Sequence, residues 1–175
     1  MFKIIVIAIL VVIAAALVYA SSRPDAFHVE RTTNIKAPPE KIFPLIDDLH
    51  SWTAWSPYEK LDPAMKKTHS GAASGKGAVY AWEGNMQAGA GSIEIADAAP
   101  PSRVNIKLHM IKPFKGNNDV EFRLEPKGGS TDVTWAMDGK YVFITKVMGL
   151  FMNMDKMAGG QFEEGLANLK KVAEQ

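Results

Sequence analysis

The chain has no cysteine among its 175 residues. That single absence removes disulfides, thiolate nucleophiles and cysteine-based metal sites together, and leaves the redox compartment open. A surplus of one charge is also lacking. Twenty basic residues face 19 acidic ones, and with Lys3 and Arg23 in the leader the remainder carries a net charge of −1. No basic stripe is present and the sequence pI is 7.9, which excludes a nucleic-acid footprint. The four histidines, His28, His50, His69 and His109, have no metal-ligand spacing with one another or with carboxylates. Ser/His/Asp nucleophile arrangements, phosphate-cradling glycine loops and H-E-x-x-H patterns are missing too. No cofactor, metal site or catalytic residue is therefore expected. Asp47-Asp48 is no exception, because consecutive helical residues point apart.

A long apolar run stands at the N-terminus. Ile4 to Ala20 is unbroken over 17 residues, after Lys3 and before Ser21-Ser22-Arg23-Pro24. As a helix it spans roughly 25 Å, slightly short of a hydrocarbon core of about 30 Å. Modest bilayer thinning and snorkelling by Lys3 and Arg23 close that gap. The competing reading is a signal peptide cleaved after Val18-Tyr19-Ala20. The run exceeds the usual h-region length, so residues 1–23 are expected to remain as a membrane anchor through residues 4–20. The expected location is the cytoplasmic membrane, single-pass, with residues 24–175 on the outer (periplasmic or extracellular) side; secretion after cleavage is the alternative.

From Phe27 the pattern changes to a period of two. Phe27, Val29, Arg31, Thr33 and Ile35 alternate with polar neighbours, and Pro38-Pro39 ends the strand. Pro39 and Glu40 suit a helix start, and Ile42, Leu45, Ile46 and Leu49 form one apolar face, shortened or bent at Pro44. Trp52 and Trp55 close the same surface. Further strands are expected at Met65–His69, around Ala78, Tyr80 and Trp82, at Ile93 and Ile95, from Val104 to Met110, from Val120 to Leu124, and from Val133 to Met137. Ser70–Gly75, Lys115–Asn118 and Pro126–Ser130 are read as turns or loops. Helical spacing returns at Val147, Leu150, Phe151 and Met154, then at Phe162, Leu166, Leu169 and Ala173, with a kink or break at Gly159-Gly160. A one-faced sheet and a long helix bury each other when the sheet curls around the helix. Arg31 shares parity with the inward residues; a strand-edge arginine reaching solvent is the plainer reading, and pairing with Asp155 the alternative.

This order of elements resembles the START-like helix-grip domains of the SRPBCC superfamily, in its polyketide cyclase/dehydratase-like branch. The resemblance rests on Ile35 to Pro57, on Gly75 to Trp82, Lys112-Pro113-Phe114, Thr131 to Trp135, and Phe162 through Lys170. It covers roughly residues 27 to 173. The implied fold class is α+β: a curved antiparallel sheet of six to seven strands gripping a long C-terminal helix, with two short helices after the first strand. The apolar N-terminal helix stands apart. Helix-grip domains commonly keep a cavity between sheet and helix. Here Tyr80, Trp82, Met110, Trp135, Met137, Phe151 and Met154 fall on the converging faces and are the expected lining, with Trp135 contributing less to stability than a fully packed core residue.

The leading expectation is thus a membrane-tethered domain that binds a hydrophobic small molecule or lipid without turnover. The alternatives are a polyketide cyclase/dehydratase-like enzyme, and a protein-interaction or co-chaperone-like module whose tryptophan turn is an exposed patch.

Overall fold

The computed structural model describes residues 2–22, 24–141, 146–147 and 154–175. Helix α1, Phe2–Ser21, carries the apolar run, and its side chains are almost all exposed. Its segment Lys3–Ser21 is long and apolar enough to cross a bilayer, a property that a signal sequence shares.

Strand β1, Ala26–Ile35, follows the predicted alternation, with Val29 and Ile35 buried. Helix α2, Pro39–Asp47, starts on proline and buries Pro39, Ile42, Phe43 and Ile46. Pro44 lies inside it, and the helix stops after nine residues. Two 3₁₀ turns follow, Leu49–Ala54 and Pro57–Lys60. Asp48 begins the first by accepting the His50 backbone N–H at 2.9 Å. Carbonyls near a helix C-terminus lack intrahelical donors. Here the indoles supply them: Trp52 Nε1 donates to Ile46 O at 2.9 Å and Trp55 Nε1 to Leu45 O at 2.8 Å. Both tryptophans are thereby turned inward, with 6% and 1% of their surface exposed. The exposed tryptophan patch that an interaction module required does not exist.

The chain then runs through β2 (Lys66–Gly71), β3 (Ala78–Glu83), β4 (Ala90–Ala99), β5 (Arg103–Lys112), β6 (Gly116–Lys127) and β7 (Ser130–Lys140). The seven strands form one antiparallel sheet in the order β1-β7-β6-β5-β4-β3-β2. Helix α2 and the 3₁₀ turns carry the chain from the β1 edge to the β2 edge. Register shifts at Ala90/Gly91 and Ile95/Asp97 interrupt the β4–β5 ladder, and such bulges bend a sheet. Strands run further than the sequence predicted. Ser70 and Gly71 belong to β2, and Gly116 to Asn118 belong to β6, where Asn118 pairs with Gly139 and the Asn117 side chain bonds His109. The expected turn at 126–130 narrows to Gly128-Gly129, both at positive φ, a conformation glycine adopts without a Cβ clash.

Helix α3, Met154–Ala173, lies chiefly along β1 and also meets β7, α2 and both 3₁₀ turns. Phe162, Leu166, Leu169 and Ala173 are its buried face. The break predicted at Gly159-Gly160 is absent; the helix runs through both. The reason is Arg31, which points at the helix rather than into solvent. Its guanidinium makes a two-pronged pair with Asp155, at 2.9 and 3.0 Å, and its Nε donates to Glu163 at 2.6 Å. Gly159 lies between those carboxylates along the helix, and a Cβ on it would stand 2.2 Å from Arg31 Nη2. The glycine is there for close approach, and the packing outweighs its poor helix propensity of about 1 kcal/mol.

Candidate functional site

The convergence of sheet, 3₁₀ turns and α3 leaves a cavity of about 400 Å³, within the range of small-molecule sites, about 300–1,000 Å³. Five of the residues picked out by strand alternation line it: Tyr80 and Trp82 from β3, Met110 from β5, Trp135 and Met137 from β7. Ile93, Ile106, Leu108, Val120 and Phe162 complete an apolar wall. Phe151 lies outside the described residues. Met154 is the first residue of α3, and its side chain lies outside the description too.

The aromatic side of the cavity is held by ring packing. Trp135 stacks on Phe162 with centroids 4.3 Å apart and lies 4.8 Å from Phe122. Trp55, Tyr58 and Trp52 meet it edge-on at 5.7, 6.3 and 6.4 Å. Trp135 is only 2% exposed. It belongs to the core at least as much as to the cavity, so its truncation is now expected to cost what a buried core aromatic costs and not the smaller amount of a cavity wall. Its Nε1–H is buried without a hydrogen-bond partner among the described residues. Trp82 is fixed differently: Nε1 donates to Ala88 O at 3.0 Å. Its ring lies against Gly91, where a Cβ would approach within 2.8 Å.

The cavity also holds a carboxylate that strand alternation did not supply. Glu59, on the second 3₁₀ turn, lines it with a side chain only 8% exposed. Glu59 Oε1 accepts from the Tyr80 hydroxyl at 2.6 Å, and Oε2 pairs with the Lys67 ammonium. Burial, and then the neighbouring Glu59, push the Tyr80 phenol well above its ordinary range, so it stays protonated and donates. A carboxylate bound on both oxygens still has lone pairs for a hydroxyl or amine on a ligand.

Beside this pair lies an unpredicted histidine stack. The His50 and His69 rings are 4.1 Å apart, and His69 is 4.9 Å from Tyr80. His28 and His109 are exposed on the sheet, as strand parity placed His109. No group of three or more metal-ligating side chains occurs among the described residues.

Asp47 and Asp48 prove unlike each other. Burial pushes the Asp48 carboxyl up, but hydrogen bonds from the His50 backbone N–H and ring together outweigh it and hold the carboxyl below the usual carboxylate range. Burial, then the Asp48 charge, push Asp47 up, and its Oδ1 is buried without a partner among the described residues. A carboxyl raised above its unfolded value penalises the folded state fully at high pH and not at all below the unfolded value. Asp47→Asn should therefore raise the melting temperature at pH 7 by a few degrees at most, and leave it unchanged at about pH 3. Melting curves at both pH values check this.

Comparison with known proteins accords with this geometry. No curated protein matches the sequence. Among solved structures, a Chromobacterium violaceum protein superposes with a TM-score of 0.61 at 14% identity, covering 87% of this chain and 99% of that one. The Aha1 protein of Colwellia psychrerythraea, solved as a dimer, gives 0.57 at 18% identity over 85% and 96%. Ara h 8.0201 gives 0.56 at 13% identity over 85% and 97%. At such identities the likeness shows the fold alone. The family model described as polyketide cyclase / dehydrase and lipid transport matches residues 26–174, and with the seven-stranded sheet closed on a C-terminal helix it shows that the chain belongs to this family of the helix-grip SRPBCC superfamily.

Proposed function

We propose that the protein is a membrane-tethered binding domain for a hydrophobic small molecule or lipid. Residues 1–23 are its anchor and Tyr80, Trp82, Met110, Trp135 and Met137 its ligand contacts. The observation that carries this reading is the apolar cavity of about 400 Å³ between sheet and helix, in a family whose description includes lipid transport. Methionine and aromatic walls adapt to irregular apolar shapes. Glu59, Tyr80 and the unpartnered Trp135 Nε1–H supply a few polar contacts for a ligand that has one polar end.

A cyclase-like enzyme is the second reading, favoured by one observation: the Glu59–Tyr80 pair sits in the cavity wall. A general base must reach its proton at about 3 Å. Glu59 is already engaged by a phenol and an ammonium, which suits holding a ligand better than taking its proton.

Titration calorimetry with 1-anilinonaphthalene-8-sulfonate tests binding. The expected result is association with a negative heat-capacity change, the mark of apolar burial. Trp82→Ala, at a half-buried wall position, should weaken that association about tenfold, in proportion to roughly 1–2 kcal/mol of lost contact. No binding by the parent protein would sink the proposal.

A further inference from the structure

The sheet register fixes which end of the domain faces α1. β1 begins at Ala26, which pairs with Lys140 at the end of β7. From there the ladder passes to Asn118 near the start of β6, to the β5–β6 hairpin after Met110, and to the β3–β4 loop after Glu83. These are the segments that rim the cavity: Phe27, Gln87, Phe114, Lys115, Asn118 and Lys140 all line it. The cavity therefore opens at the end of the sheet to which the N-terminal helix is joined.

The exposed apolar side chains follow the same division. Outside α1, the large exposed apolar residues among those described are Tyr58, Met86, Ile111, Phe114 and Met157. Tyr58, Phe114 and Met157 line the cavity. Met86 lies in the β3–β4 loop and is 89% exposed, and Ile111 lies at the end of β5. The opposite end, with its turns at 36–38, 72–77, 100–102 and 128–129, presents none. A patch rimmed by polar groups is the mark of an interaction surface, and here two lysines, Lys115 and Lys140, stand in the rim.

Chain length says what that surface meets. From Ser21 to Ala26 the chain reaches at most about 18 Å at roughly 3.5 Å per residue. β1 itself extends about 33 Å away from that point, so the end that bears the cavity mouth is the one held near the bilayer.

We infer that the cavity mouth is a membrane-contact surface: Met86, Ile111, Phe114 and Met157 enter the leaflet into which α1 is anchored, and Lys115 and Lys140 meet its anionic headgroups. The bound molecule then moves between leaflet and cavity without crossing water. This rests on α1 being an uncleaved anchor, and the two ideas fail separately.

Absence of native cysteine makes the test direct. In the full-length chain, Met86→Cys and Lys127→Cys place single thiols at the two opposite ends of the sheet, each at an exposed position. Both are labelled with a nitrobenzoxadiazole fluorophore and reconstituted into phosphatidylcholine/phosphatidylglycerol vesicles that contain doxyl-labelled lipid. The label at position 86 should lose most of its emission and the label at 127 should keep it. Protein that floats with the vesicles but shows no quenching at 86, or greater quenching at 127, overturns the orientation. Protein that does not float removes the anchor itself, and this proposal with it.

Discussion

Replacing Trp135 with alanine is expected to destabilise the domain by about 3–5 kcal/mol, the range for truncating a buried aromatic in a close-packed core. The indole is 2% exposed and has five aromatic neighbours, drawn from both 3₁₀ turns and the link between them, from β6 and from α3. It joins the three parts of the molecule that close the cavity. Without it Phe162 loses its stacking partner, Trp55 loses an edge contact, and α3 is held mainly by its lower turns and by Arg31. Urea unfolding of the detergent-solubilised chain should show a much lower midpoint with little change in slope. A loss below about 1 kcal/mol would mean that the site collapses easily, and that Trp135 is cavity wall and not core.

Deletion of residues 1–23 has the second large expected effect, on location instead of stability. The deleted chain should no longer float with vesicles, whereas the full chain should do so completely. Its fold should persist, because α1 contributes almost no buried surface while β1 to α3 bury one another's apolar faces. Circular dichroism and a cooperative melt of the truncated protein, beside a flotation assay, check both halves. Aggregation of the truncated chain would show that α1 packs into the domain.

The fold was largely legible because its signals are local. Alternation set the inward face of β1 and of β3 to β7, and the Pro38-Pro39 pair marked where β1 gives way to α2. What local signals do not carry is set by contacts between segments distant in sequence. Gly159-Gly160 looked like a helix break because propensity is local, whereas the guanidinium that needs Gly159 comes from a strand more than a hundred residues earlier. In the sequence the tryptophan turn reads as closing the apolar surface of α2, with an exposed patch as the alternative; the carbonyls of Leu45 and Ile46, which accept its indoles, are what hold it inside. Strand parity did bring Tyr80, Trp82, Met110, Trp135 and Met137 to one cavity. It missed Glu59 because a four-residue 3₁₀ turn has no period to reveal its inward side. Pairing of His50 with His69 was hidden for the same reason: a turn and an edge strand share no repeat.

Native mass spectrometry of the full-length protein, extracted gently from its host cells, tests the central claim most directly. A hydrophobic molecule of a size that fits about 400 Å³ should accompany the folded chain and leave on collisional activation, with a reduced fraction bound in Trp82→Ala. A chain that emerges folded and empty, and takes up no apolar probe afterwards, would contradict the account.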